Sequence, residues 1–279
     1  MLAWIADEGQ PSMTMPKRLD LPPVIGHRGA AAVAPENTLA SLRKAHELGA
    51  RWVEFDVKLT RDGHPILAHD DRLERTTDGR GRFAEATLAE IERLDAGSWF
   101  APAFAGERVP TFEAALALCA ELGLGVNVEI KPCRGREVET ARVAVETLLA
   151  HWSAALPLPL ISSFAPICLA VAREVAPELP RGYLAGRLPP RWQAQLAAYG
   201  CCTLNLDQRR LGARQRAAVV AAGVPLLLYT VNDPRAAREQ LSHGVRAVFT
   251  DRVREVLLAL NAGSAISSGA SGQPGGPAP

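Results

Sequence analysis

The chain has 279 residues, is 48% hydrophobic and carries a formal net charge of +1. That length suits one or two domains, and a single α/β barrel of roughly 250 residues fits it well. Near-neutrality leaves no basic field for nucleic acid, and no stretch reaches the roughly 18 consecutive apolar residues of a membrane span.

Residues 1–22 read as a loosely ordered extension without the apolar core of a signal peptide. A soluble, cytoplasmic protein with no nucleic-acid partner and no stable membrane insertion is the expectation. The five cysteines lack metal-ligand spacing and read as reduced, buried thiols. Apolar strand-like runs follow at 24–27, 52–59, 125–131, 158–162, 181–184, 203–206, 225–231 and 247–250. Most precede a helical pattern. Leu39, Leu42, Ala45 and Leu48 recur at helical spacing, with Asn37 or Thr38 as N-cap and Gly49 as the stop. Further helices are predicted over 112–122, 138–152 and 213–222, and from Pro234 to about His243. Alternation of this kind predicts an α/β fold, a TIM (β/α)8 barrel; a doubly wound sheet has similar periodicity. After the second strand, Asp62-Gly63 marks a hairpin turn before Ile66-Leu67-Ala68. Residues 62–110 then form a small insertion, expected to cap the barrel mouth. The globular domain spans 23–261, and the Gly/Ser/Pro-rich stretch 262–279 reads as a disordered tail.

Two runs break the apolar pattern with charge. In 52–59, Glu54 and Asp56 share one strand face and Val53, Phe55 and Val57 the other. In 125–131, Glu129 and Lys131 oppose Val128 and Ile130 in the same way. Such charges are costly to bury unpaired. Either that face meets solvent, or a divalent metal holding an anionic substrate sits between the strands. Gly26-His27-Arg28-Gly29 ends the first strand. Its glycines would let a bound anion approach the backbone, Arg28 offers a fork of donors, and His27 can move protons near neutral pH. His69-Asp70 follows the hairpin and supplies a second imidazole. His46, His64, His151 and His243 lie on helices or turns and read as structural.

Taken in order, His27-Arg28-Gly29, Pro35-Glu36-Asn37-Thr38, Glu54-Phe55-Asp56, His69-Asp70, Glu129-Ile130-Lys131 and Tyr229-Thr230-Val231-Asn232 resemble the glycerophosphodiester phosphodiesterase family. The resemblance runs from about residue 24 to about residue 258. It implies a TIM barrel with an insertion after the second strand. It also implies one divalent cation, Mg2+ or Ca2+ with Mn2+ possible, held by Glu54, Asp56 and Glu129. His27 and His69 would be the catalytic pair. Arg28, Lys131 and Tyr229 would contact the phosphate and substrate, with Glu36 in a supporting role. The dication, Arg28 and Lys131 against three carboxylates leave one positive charge, which suits a phosphodiester monoanion. The implied reaction is hydrolysis of a small glycerophosphodiester to sn-glycerol 3-phosphate and an alcohol. The alternatives are a lysophospholipase D using Trp99, Phe100, Phe104, Trp192 or Tyr229 as apolar surface, and a non-catalytic phosphate-binding module. The chain departs from the family pattern at Tyr229, where the family usually has Trp, and at Arg252, where Pro often follows Thr-Asp. Head-group preference is expected to reside around Arg72, Trp99 and Tyr229.

Overall fold

The structure, a computed structural model, describes residues 19–268. Its strands are β1 (Val24–Gly26), β2 (Trp52–Leu59), β3 (Pro65–Leu67), β4 (Gly125–Ile130), β5 (Leu160–Ser163), β6 (Arg181–Ala185), β7 (Thr203–Asp207), β8 (Leu226–Tyr229) and β9 (Ala247–Thr250). All pair in parallel except β3, which folds back antiparallel on β2 with Lys58 opposite Ile66. The sheet runs β1-β9-β8-β7-β6-β5-β4-β2 and closes through a further β1–β2 pairing at Gly26 and Val53. The ring is therefore a closed eight-stranded parallel barrel, the TIM fold.

Helices α1 (Leu39–Glu47), α2 (Leu88–Ile91), α3 (Phe112–Glu121), α4 (Glu137–His151), α5 (Pro166–Val175), α6 (Trp192–Tyr199), α7 (Ala213–Ala221), α8 (Pro234–Ser242) and α9 (Val253–Ser268) complete the described chain. All but α2 follow barrel strands or, for α3, the insertion. The outward residues of β2 and β4, among them Val53, Phe55, Val57 and Val128, form one apolar layer with α1, α3, α4 and α5. Leu204, Leu206, Leu226 and Leu228 form a second layer with the later helices. Trp192 lies in that layer, 7% exposed, so it contributes no open apolar groove.

The barrel interior grades from apolar to charged. Ile25, Trp52, Leu160, Leu227 and Phe249 form an inner apolar cluster. Leu19 and Leu21, from the end of the N-terminal extension, join it, and the Leu21 carbonyl accepts from Arg246. Gly125 is required there: a Cβ on it would stand 2.2 Å from the Trp52 ring. Polar residues come next, with Asn127 donating to Ser162 Oγ at 2.9 Å. Glu54, Asp56 and Glu129 add a cluster of carboxylates, with Glu54 level with Asn127 and Asp56 level with Glu129.

Between β3 and α3 the insertion has its own core of Ile66, Ala68, Leu73, Phe83, Ile91, Ala96 and Val109. It contains helix α2, whose Thr87 and Glu90 form a capping box. At the other end, α9 continues through Ser268, past the start of the stretch whose composition predicts a tail. Residues 1–18 and 269–279 lie outside the described residues. Among the described residues no helix is long and apolar enough to cross a membrane.

Candidate active site

The site begins with strand register. β2 and β4 pair so that Asp56 lies opposite Glu129 and Glu54 opposite Asn127. Both strands turn these side chains inward, and one oxygen from each of Glu54, Asp56 and Glu129 lies within 4.8 Å of the others. All three residues are buried. At an effective dielectric of ~20, each pair of charges this close repels by about 3–4 kcal/mol. Burial and the neighbouring Asp56 and Glu129 push the Glu54 pKa well up. Burial and Asp56 likewise raise Glu129 to about 7. Asp56 goes the other way: burial opposes its ionisation, but Lys131, Arg28 and His69, with a hydrogen bond from Asn37, hold it low. Glu54 Oε1 is buried without a hydrogen-bond partner, and Asp56 Oδ1, also without one, lies 3.2 Å from Lys131 Nζ. Three convergent oxygens of this kind, one of them orphaned, suit a hard divalent cation.

The β1–α1 loop sets the next groups. His27 donates its backbone N–H to Thr250, and its Nδ1 lies 2.7 Å from Asp251 Oδ1. Asp251 is held by Asn232 at 2.6 Å. Nε2 is thereby turned toward the cleft, 4.0 Å from Glu54 Oε2. Arg28 adopts a φ of +51°, a conformation few non-glycine residues take. Its backbone N–H donates to Glu54 Oε2 at 2.9 Å, and its guanidinium meets Glu36 at 2.7 Å and Asp56 at 3.3 Å. Burial works against the Arg28 charge, but Asp56, Glu36 and Glu54 hold its pKa above the ordinary value.

Gly29 has a different task from the expected one. A Cβ there would stand 2.4 Å from Ser41 Oγ, so the glycine admits the start of α1 rather than a bound anion. Ser41 Oγ accepts from Ala30 N–H and donates to the Arg28 carbonyl, both at 2.8 Å, pinning the loop. Thr38 is the N-cap of α1. Asn37 instead, at φ +56°, donates to Asp56 Oδ2 at 2.9 Å and accepts from the Asp56 N–H at 3.1 Å.

His69 follows β3 and stands over the same cleft. Its Nδ1 lies 2.7 Å from Asp70 Oδ1. Burial, with Arg28 and Lys131 adding to it, lowers its pKa despite the opposing pull of Asp56 and Asp70. Lys131 follows β4, with Nζ 3.1 Å from Glu129 Oε1 and 5.9 Å above the Phe164 ring centroid. Lys58, inside β2, is buried and donates to Asp71 at 2.7 Å and to the Lys131 carbonyl at 3.2 Å. It thus ties the His69 loop to the end of β4. Tyr229 donates to the Ala185 carbonyl at 2.9 Å and meets Phe164 edge-on at 5.9 Å.

These residues enclose a cleft of about 220 Å³, lined by His27, Arg28, Glu54, His69, Glu129, Lys131, Phe164 and Tyr229 among others. A second hollow of about 360 Å³ adjoins it at His27 and Arg28 and reaches Glu36, Asn232, Asp251 and Arg252. The structure thus brings together the residues that the sequence singles out. Arg72 and Trp99 are not among those lining either space. Arg72 pairs with Glu74, and Trp99 meets Phe100 edge-on within the insertion. Phe164 takes their place as the exposed aromatic of the mouth, 47% accessible. Sequence reasoning missed Asp251, Asn37, Lys58 and Arg75 as site residues. The simple charge balance is also incomplete. Glu36, Asp70 and Asp251 add three carboxylates, Arg75 pairs with the first two, and Arg209 and Arg252 also line the two spaces.

Residues 27–255 match the Glycerophosphoryl diester phosphodiesterase family. The chain belongs to that family. With it comes the enzyme class expected from the motifs, the phosphoric diester hydrolases. A glycerophosphodiester phosphodiesterase of Caldanaerobacter subterraneus subsp. tengcongensis is 34% identical over 238 residues, covering 82% of this chain and 93% of its own. A putative glycerophosphodiester phosphodiesterase of Bacillus subtilis is 33% identical over 234 residues, with the same coverage of 82% and 93%. Among solved structures, a phosphodiesterase of Oleispira antarctica in complex with the product sn-glycerol-3-phosphate superposes with a TM-score of 0.84 at 42% identity. That match covers 86% of this chain and 97% of the other.

Proposed function

We propose that this protein hydrolyses glycerophosphodiesters to sn-glycerol 3-phosphate and an alcohol, with His27 and His69 exchanging protons across a metal-dependent site. The observation that carries the reading is the pair of imidazoles, each held at Nδ1 by a carboxylate and sharing one cleft with Arg28, Lys131 and the carboxylate triad. The product named for the similar Oleispira structure supports the substrate class.

With Nδ1 occupied, Nε2 is the reactive nitrogen of each ring. His69, its pKa lowered, is neutral near pH 7 and accepts the proton of the attacking hydroxyl. His27, between the carboxylates of Asp251 and Glu54, is suited to carry a proton and pass it to the departing alkoxide. Arg28 and Lys131 face the phosphoryl oxygens and stabilise charge that builds on them. Glu54, Asp56 and Glu129 would hold one divalent cation. When bound, it supplies Lewis-acid polarisation of the phosphoryl group. Tyr229, Phe164 and Leu184 form an apolar wall that excludes water from one side of the cleft.

A panel of glycerophosphodiesters assayed with Mg2+, Mn2+ and Ca2+, scored for glycerol 3-phosphate, tests the reaction. Chelation by EDTA is expected to abolish turnover reversibly. Glu54→Gln and Glu129→Gln are each expected to lower kcat/KM by at least about 10³-fold with the fold retained, since each leaves the ion two carboxylates. Full turnover of either variant in metal-replete buffer refutes the metal assignment. The exposed Phe164 at the mouth favours one secondary reading, cleavage of monoacyl lipids. Turnover of deacylated against monoacyl substrates separates the two.

A further inference from the structure

We propose that Arg75, supplied by the insertion, is a positioning residue that locks His69 and Arg28 into a single unit. The proposal rests on the two-histidine reading above. Arg75 spends four hydrogen bonds on two carboxylates. It reaches Asp70 through Nε at 2.5 Å and one terminal nitrogen at 3.0 Å. It reaches Glu36 through its two terminal nitrogens at 2.7 and 2.8 Å. Each carboxylate has a second duty. Asp70 Oδ1 also holds His69 Nδ1, and Glu36 Oε1 also holds the Arg28 guanidinium. One planar fork therefore joins the group that holds the imidazole to the group that holds the phosphate-facing arginine.

Without the fork, both carboxylates are released. Glu36 then competes with substrate phosphate for Arg28, and Asp70 can rotate away from His69. A Lys at this position offers a point charge in place of a planar fork, so it can serve one carboxylate well but not both. The effect on stability is expected to be small. Arg75 is 44% exposed, and ion pairs open to water contribute little. The insertion keeps its own apolar core, to which Leu73 and Phe83 belong. Activity and folding are therefore separable.

The experiment compares steady-state kinetics of Arg75→Met, Arg75→Lys, Glu36→Gln and Arg75→Met/Glu36→Gln with wild type, alongside His27→Asn and His69→Asn. Arg75→Met is expected to lower kcat about 10- to 100-fold, the usual range for a partner behind a reacting group, and to raise KM. Arg75→Lys should recover part of that loss. The double variant should lose less than the product of the two single losses, because both act on Arg28. Should Arg75→Met not fold, Arg75→Lys carries the same prediction at smaller amplitude. Wild-type kinetics in Arg75→Met, or full recovery by Lys, overturns the proposal while the inactive histidine variants leave the two-histidine reading standing. Strict multiplicativity in the double variant removes the link through Glu36. Active histidine variants overturn the two-histidine reading itself.

Discussion

Asp251 does for His27 what Asp70 does for His69: each carboxylate meets Nδ1 at 2.7 Å. The Asp251 pKa is lowered, since the bond and charge of His27 overcome the penalty of burial. A neutral amide in its place would allow Nδ1 to accept rather than donate and favour the wrong tautomer. Asp251→Asn is expected to reduce kcat by about 10²-fold or more with KM little changed, read by steady-state kinetics. A variant with wild-type kcat would remove Asp251 from the machinery. The contrast with the triad shows what a sequence reveals and what it hides. Glu54 and Asp56 are two apart in a strand, so their shared face follows from alternation alone. Asp251 lies 224 residues from His27, and Asn37 lies 19 from Asp56. No local periodicity connects either pair; closure of the barrel does, through β1 pairing with β9 and with β2. Arg75 is hidden for the same reason, whereas alternation does place Lys58 on the face of Glu54 and Asp56 and leaves only its partner Asp71 unmarked.

The barrel strands were readable to within two residues, and α1, α3, α4, α7 and α8 with them, whereas α2, α5, α6 and α9 were not singled out. β2 and β9 coincide with their predicted ranges, and α1 starts after its predicted cap. The hairpin at Asp62-Gly63 is present, with Val57 opposite Leu67. The insertion was harder. Its apolar residues are spread over short irregular segments, so the small core around Phe83 and Ile91 has no period to announce it. The final helix was not singled out, and small polar residues such as Ser264 and Ser267 give the same composition to its end as to a tail. Packing at the other end of the barrel from the chemistry should be separable from it. Gly125→Ala places a methyl group against the Trp52 ring, and overpacking of this kind costs about 1–3 kcal/mol. Urea unfolding is expected to show that loss, with kcat retained in the folded fraction. A fall in kcat matching the loss of stability would show that the two ends are coupled.

At the scale of the whole molecule, the buried cluster of Glu54, Asp56 and Glu129 ties stability to pH. Burial and Asp56 push Glu129 up to about 7, above the ordinary carboxylate value of 4.5. Glu54 is raised in the same sense. The folded state therefore binds protons that the unfolded chain has already released. This contribution to stability is present below about pH 4.5 and is lost as pH rises through about 7. Asp56, with a lowered pKa, contributes in the opposite sense and loses its share only in acid, below this window. Thermal unfolding in EDTA should give a Tm that falls between about pH 5.5 and about pH 7.5. Added Mg2+ should raise Tm most at the higher pH, because binding the ion expels those protons. A metal-induced rise in Tm that is equal at both pH values would contradict the proposed ligands.

The barrel also divides its labour along the chain. His27, Arg28, Glu54, Asp56, His69, Glu129 and Lys131 all precede β5, whereas Phe164, Leu184 and Tyr229 belong to β5, β6 and β8 or the loops that follow them. The proposed reacting groups and the apolar wall thus come from different stretches of polypeptide, bridged by Asp251, which follows β9 and holds His27. A crossover in the segment joining β4 to β5 would therefore exchange the wall together with the carboxylate that holds His27. Recombination between relatives would keep the His27 pairing only where the incoming half brings its own carboxylate to the end of β9.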